Sequence, residues 1–316
     1  MRIVLALDGS ESSIQARDLV AGLPWPTGTA MCVVCAYELP VDWTGAVGAW
    51  TPWVGDAEDA MRDELTAELE RLTEPLAGRG WQLERRVVKG RPASAIVDVA
   101  RNFEADLIVL GSRGRGPLTT MLLGSVSAEV VDQAGCSVLV ARGSEASRLL
   151  VATDGSDAAR AVPDILSAWG AFRGEAVETI SVAPLPERSL DLLSEVYTLG
   201  AYRSDDDRQG LLDRHRRLAE EMAQLLAERD FVATASVLAG DAAHEIIASA
   251  ERRGVNLIVT GTRGLHGVER VFLGSVARNV LLHAPCSVLV VRSNVQPHGV
   301  RSKRTGSAAQ PAAQAV

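Results

Sequence analysis

Aromatic residues are scarce: six Trp, four Phe and three Tyr in 316 residues, too few to line a groove with the stacked rings that hold single-stranded nucleic acid. A basic excess is missing too. Lys plus Arg number 32 against 40 Asp plus Glu, a formal net charge of −8, which argues against a general coat for DNA or RNA and leaves room only for a local basic groove. Four cysteines do not make a disulfide framework and fit a reducing compartment. The longest apolar run, Ala30 to Tyr37, has eight residues, far short of the roughly 18 that suggest a membrane-spanning helix. The opening stretch turns acidic at Asp8 and carries no cleavage pattern, so it is not read as a secretory leader and the expected location is cytoplasmic. The five histidines, at 215, 244, 266, 283 and 298, share no spacing, against a metal centre or a catalytic triad. The nucleotide signature G-x4-G-K-[ST] is absent, and the stretch Gly111 to Gly116 lacks the order of a G-x-G-x-x-G fingerprint, which sets aside P-loop and dinucleotide-dehydrogenase readings.

What the chain does have is repetition. Residues 107 to 142 and 257 to 292 align without a gap, with 18 of 36 positions identical. Middle blocks keep that offset of 150: Gly90, Ala93, Ile96, Val97 and Ala100 correspond to Gly240, Ala243, Ile246, Ile247 and Ala250. The openings, Ile3 to Ser10 and Leu149 to Ser156, match at an offset of 146, so the second copy gains four residues in between. A repeat this long is a domain rather than a solenoid unit. Two similar domains are expected, 1–144 and 145–294, followed by a disordered tail, 295–316, rich in Gln, Pro, Gly, Ser and Ala. An apolar share of 47% is ordinary for a globular chain.

Within each copy, short apolar runs alternate with helical periodicities. Ile3 to Leu7, Met31 to Tyr37, a run ending at Gly90, Leu107 to Leu110 and Ser137 to Ala141 read as strands. Between them, Ser10 caps a helix striped by Ala16, Leu19, Val20 and Leu23; Ala57 to Leu76 carries a longer stripe; Pro92 opens a third helix, and Ser125 to Ala134 forms a fourth. This alternation predicts an α/β fold of two tandem, open, parallel five-stranded sheets with helices on both faces. The apolar fifth strands, Ser137 to Ala141 and Ser287 to Val291, would leave hydrophobic edges needing cover.

In such sheets ligands sit beyond the carboxyl ends of the strands, near a switch in strand order. There the first copy runs into Gly111-Ser-Arg-Gly114, nine residues, then Gly124-Ser125. The second runs into Gly261-Thr-Arg-Gly264, nine residues, then Gly274-Ser275. Glycines remove side chains that would block a phosphate, and a helix start offers N–H groups and a positive dipole end. Any single glycine is explained by a turn; identical spacing twice points to a polyphosphate ligand. Arg113 and Arg263, inside the turns, are placed to reach phosphates or simply to be solvated. Cys32 and Cys35 form a C-x-x-C, but residues i and i+3 of a strand face opposite ways, so they read as packed residues, as do Cys136 and Cys286.

The pattern G-x2-G-x9-G-[ST], complete in both halves, resembles that of universal stress protein domains of the nucleotide-binding type. The resemblance covers about 1 to 292 and implies a Rossmann-like fold akin to the adenine nucleotide alpha hydrolases. It implies ATP, expected with Mg2+, one site per half. Asp8 and Asp154 would contact the nucleoside, with backbone contacts from Ala36 and Val182; Gly111, Gly114, Gly124 and Ser125, and in turn Gly261, Gly264, Gly274 and Ser275, would hold the triphosphate. Cys35 and Ser181 stand where the family usually has His. The expected role is regulatory, through a protein partner the sequence does not identify, with no catalytic residues and neither nucleic acid nor membrane as partner. The alternatives are a slow ATPase or nucleotidyl-transfer enzyme, whose His-x-Gly-His or Ser-Gly-Gly signatures are absent, and a cyclic AMP sensor. The resemblance also implies dimerisation in members with a single domain, commonly by exchanging or pairing the fifth strand. The tandem is therefore expected to form a pseudo-dimer within one chain, any homodimer using another surface such as the loop of Trp43, Trp50 and Trp53.

Overall fold

The computed structural model describes residues 1–39, 52–114, 123–184, 205–262 and 273–292. The first half runs β1 (Arg2–Ala6), α1 (Glu11–Gly22), β2 (Ala30–Tyr37), α2 (Pro52–Thr73), β3 (Gln82–Lys89), α3 (Pro92–Asn102), β4 (Leu107–Gly111), α4 (Ser125–Gln133) and β5 (Ser137–Ala141). The second runs β6 (Arg148–Ala152), α5 (Asp157–Arg160), α6 (Val162–Trp169), β7 (Ala176–Ala183), α7 (Asp205–Ala227), β8 (Val232–Ala239), α8 (Ala242–Arg253), β9 (Leu257–Gly261), α9 (Ser275–His283) and β10 (Ser287–Val291). The single helix α1 becomes two short ones, α5 and α6, in the second half. Pro163 in the first turn of α6 has no N–H to give the preceding helix, so a continuous ladder cannot form. The expected tail, 295–316, lies outside the described residues.

Strands β4, β5, β9 and β10 are buried along their whole length, as near-continuous Val, Ile and Leu runs require when both faces are covered. Sheet order is β3-β2-β1-β4-β5-β10-β9-β6-β7-β8. Every neighbouring pair is parallel except β5 and β10, which run antiparallel with Val138 opposite Val290, Leu139 opposite Leu289 and Val140 opposite Val288. The two five-stranded sheets are thus one ten-stranded sheet, each apolar fifth strand covering the edge of the other. Two hydrophobic layers, one per face, run through both halves: Leu5, Leu19, Leu149 and Leu166 in one, Val4, Val97, Val130 and Val280 in the other.

A reciprocal pair of arginines fastens the joint. Arg292 donates from Nη2 to the carbonyl of Val131 near the end of α4 at 2.7 Å, and its N–H reaches Ser137 Oγ at 3.2 Å. Arg142 donates to the carbonyls of Leu281 and Cys286, and its N–H reaches Ser287 Oγ at 3.1 Å. Cations at helix C-termini meet the negative end of the dipole. Burial pulls the Arg142 guanidinium down to about 10, still charged at neutral pH. On the other face Trp25 meets Phe172 edge-on, ring centres 6.2 Å apart.

Candidate functional site

Chain crossovers leave β1 toward β2 on one side and β4 toward β5 on the other, so the order reverses between β1 and β4, and again between β6 and β9. At such a reversal the loops after the strands splay apart and leave a crevice. Asp8, Gly111, Arg113 and Gly114 all stand at the first reversal. Gly9, at φ 75°, turns the chain sharply after β1, and Ser10 then caps α1 by accepting from the Ser13 N–H. Asp8 Oδ1 accepts from the Ser10 N–H at 3.0 Å and from its hydroxyl at 2.6 Å. The other oxygen faces the glycine turn: a Cβ on Gly114 would lie 2.9 Å from Asp8 Oδ2. The carboxylate therefore both caps its own turn and abuts the glycine turn.

That turn is held at nearly every residue. Ser12 Oγ accepts from the Arg113 N–H at 3.1 Å and donates to the Arg113 carbonyl, which Ser10 Oγ also approaches at 3.3 Å. Ser127 Oγ donates to the Gly111 carbonyl at 2.8 Å, and the Gly124 N–H donates to the Ser112 carbonyl at 2.6 Å. Gly111 has a reason of its own to lack a side chain, since a Cβ there would lie 2.5 and 2.6 Å from the Ser12 backbone C and O. Gly124 and Gly274 begin α4 and α9 with no side-chain cap, so the first N–H groups of each helix lack the partner that a Ser or Asp cap would supply. Ser125 is the first residue of α4, and Ser275 of α9.

At the second reversal Asp154 Oδ1 accepts from the Ser156 N–H at 2.9 Å, Gly155 has φ 76°, and the Gly274 N–H donates to Thr262 at 2.7 Å. A Cβ on Gly261 would meet Ala158 at 3.1 Å. Arg263 and Gly264 lie outside the described residues. Ala36 and Val182 lie one strand over, near the ends of β2 and β7, opposite Val88 and Leu238. Beside Val182, Ser181 Oγ is 2.9 Å from His215 Nδ1 on α7. Burial, with Arg214 adding to it and Asp154 opposing it, holds the His215 imidazolium below its ordinary range.

Cys32 and Cys35 fall in the two opposite hydrophobic layers. Burial pushes the Cys32 thiol up to about 11 and that of Cys136 up to about 12, which leaves neither as a thiolate at neutral pH. Trp43 and Trp50, and the side chain of Trp53, lie outside the described residues. Among the described residues no group of three His, Cys, Asp or Glu could hold a metal ion, and no helix is long and apolar enough to cross a membrane. Ser12 and Ser127 are not marked by the repeat, since position 158 is Ala and position 277 is Ala. Their signal was local, two further hydroxyls in Asp-Gly-Ser-Glu-Ser12 and Gly-Ser-Val-Ser127.

Fold and site together define a doubly wound α/β protein whose strand switch brings a carboxylate beside a glycine turn and a helix start. The sequence profile of the universal stress protein family matches residues 1–142 and again 145–292, and the chain belongs to that family. It is 36% identical over 141 residues to a universal stress protein of Thermus aquaticus, covering 44% of this chain and 97% of that one. To one of Mycobacterium tuberculosis it is 28% identical over 270 residues, 78% of this chain and 84% of the relative. The crystal structure of a universal stress protein from Archaeoglobus fulgidus superposes with a TM-score of 0.59 at 20% identity, over 92% of this chain and 96% of that one.

Proposed function

We propose that this protein binds ATP, with Mg2+, at the strand-switch crevice of each half, and that occupancy rather than turnover is its output, read by a protein partner. The observation that carries the reading is the contact between Asp8 Oδ2 and the Gly114 position, 2.9 Å from a Cβ there, beside a helix start without a side-chain cap. An acceptor-only carboxylate suits the hydroxyls and amine of a nucleoside. Glycine turn and helix start suit an anion, each such contact contributing ~0.3–2 kcal/mol. On this reading Asp8 and Asp154 take the nucleoside side, while Gly114, Gly124, Ser125 and Arg113 in the first half, and Gly264, Gly274, Ser275 and Arg263 in the second, take the phosphates. Bound Mg2+ would offset phosphate charge. The site's own residues hold the ligand: Asp8 is tied to Ser10 through one oxygen and serves as an anchor rather than a base. The cytoplasm is the compartment proposed.

The test is to purify the full chain without added nucleotide, denature it, and identify the released small molecules by mass spectrometry. ATP or ADP is expected. Cyclic AMP in their place would favour a sensor of that nucleotide, and a chain that releases no nucleotide and takes up none would overturn the proposal.

A further inference from the structure

The sheet ends in β3 on one side and β8 on the other, and the two edges differ in chemistry. Their positions align through the strand pairing: Leu5 pairs with Val33 and Val33 with Arg85, as Val151 pairs with Thr179 and Thr179 with Ala235. β3 carries Glu84, Arg85, Arg86 and Lys89, and charge along an edge deters a further strand, which would strip water from it. Those side chains are also engaged within their own half: Arg86 with Glu84 at 2.7 Å, Lys89 with Glu58 at 2.9 Å, and Arg85 donating to Thr73 Oγ1 at 2.6 Å. β8 reads Val-Ala-Thr-Ala-Ser-Val-Leu-Ala, with no charged residue and no proline. Its register on β7 runs unbroken from Val232 to Ala239, so no bulge turns it aside.

The backbone groups of β8 divide by position. The Gly240 N–H donates to the Ala183 carbonyl on β7 at 3.0 Å, and the Thr234 carbonyl, on that same side, accepts from Thr179 Oγ1 at 3.1 Å. Along a strand the N–H and C=O of one residue point one way and those of the next point the other. Even-numbered residues therefore serve β7, while Ala233, Ala235, Val237 and Ala239 turn theirs outward. Among the described residues no hydrogen bond reaches these outward groups. Side chains leave the approach clear: Val232, Thr234, Ala235 and Ala239 are exposed, Val232 at 66%. Glu178 on β7 accepts from Ser236 Oγ at 2.7 Å and is neutralised by Arg253.

We infer that the β8 edge is a docking surface for a second copy of this chain, the two β8 strands pairing antiparallel about a twofold axis at Ser236. That register sets Ala233 opposite Ala239 and Ala235 opposite Val237, so all four outward residues of each copy are paired at once. A contact between identical surfaces closes at two chains. The chain already joins its own halves in this way, through the uncharged strands β5 and β10, antiparallel with Val138 opposite Val290. β8 against β3 would be head to tail and would run on as a filament, and it would set Arg85 and Arg86 against a strand that offers no carboxylate. β3 against β3 would bring three cations and one anion onto the same set, and like charges across strands are destabilising. Among the described strands, the β8 of a second copy is the edge that matches β8 without an uncompensated charge.

The test is sedimentation of the full chain over about 1 to 100 μM, with amide hydrogen exchange followed at both ends of the series. The mass should rise from one chain to two, and exchange at residues 233–239 should slow as it does. Ala235→Arg gives β8 the charge that β3 bears at the matching place and should hold the chain monomeric throughout. Ala235 is exposed, so at the dilute end the urea midpoint of this variant should match that of the unmodified chain. Ala235→Pro removes an N–H that β7 does not use, a change an edge strand accepts, and should also abolish pairing; should it unfold, Ala235→Arg decides alone. An unmodified chain that stays monomeric across the series, a dimer that survives Ala235→Arg, a dimer whose 233–239 amides exchange as fast as the monomer's, or assemblies that grow past two chains would overturn the inference.

Discussion

Replacing Gly111 by alanine asks whether the end of β4 really rests on the first turn of α1. A Cβ there would lie 2.5 Å from the Ser12 backbone carbon, and an ordinary contact begins at 3.4 Å, so the two elements would have to part by 0.9 Å (3.4 − 2.5). Little can give, because α1 is anchored by its Ser10 cap and by buried Ala16, Leu19 and Val20. Overpacking of this kind costs about 1–3 kcal/mol, and separation would also break the Ser12 hydrogen bonds to Arg113, at ~1 kcal/mol each. A loss of about 3 kcal/mol or more is expected. Gly261→Ala needs only 0.3 Å (3.4 − 3.1) against Ala158 and should cost about 1 kcal/mol. Among the described residues Gly124→Ala meets nothing nearer than 3.4 Å, and Gly124 has φ −75° and ψ 155°, open to any residue, so ~0.5 kcal/mol or less is expected. Urea unfolding of the three variants, compared by midpoint at constant slope, gives the ranking. Equal midpoints for the Gly111 and Gly124 variants would refute the reasoning from contact.

Residues 1–144 expressed alone expose β5, of which Val138, Leu139 and Val140 are wholly buried in the full chain, and remove the Arg292 donor to Val131; light scattering should show dimers or aggregates, and a monodisperse monomer would contradict the role given to the joint. His215 supplies a pH dependence. Its protonation is disfavoured in the folded chain, chiefly by burial, so between its ordinary value of 6.5 and its lower folded value the unfolded chain binds more protons and stability falls as pH falls. Denaturation midpoints from pH 8 to pH 5 should fall more steeply for the unmodified chain than for His215→Leu; parallel profiles would dismiss His215 as a source.

The strands and most helices were legible because each buried strand is a short apolar run and each helix keeps an apolar stripe, as Ala93, Ile96, Val97 and Ala100 do on α3. Asp8 and the glycine turn were legible through spacing that occurs twice. The antiparallel register of β5 on β10 was not, because an apolar run states that an edge must be covered without stating which residue faces which. Arg142 and Arg292 sit at matching positions in the repeat, yet their targets, carbonyls near the ends of helices of the other half, are backbone atoms that leave no trace in sequence. Gly111 read as room for a ligand, and only the path of α1 shows that a serine backbone fills the place where its side chain would be. Ser12 and Ser127 were not legible because the repeat places Ala158 and Ala277 at their counterparts, so no doubled spacing marks them.

The most direct measurement of the central claim is titration of stripped full-length protein with MgATP, alongside Asp8→Ala and Gly124→Val with Gly274→Val. Saturation near two equivalents per chain is expected, with adenosine and ATP both weakened by Asp8→Ala at the first site and ATP binding abolished in the double glycine variant. Absence of ATP binding by the unmodified chain, or undiminished affinity in both variants, would place the ligand elsewhere or remove it altogether.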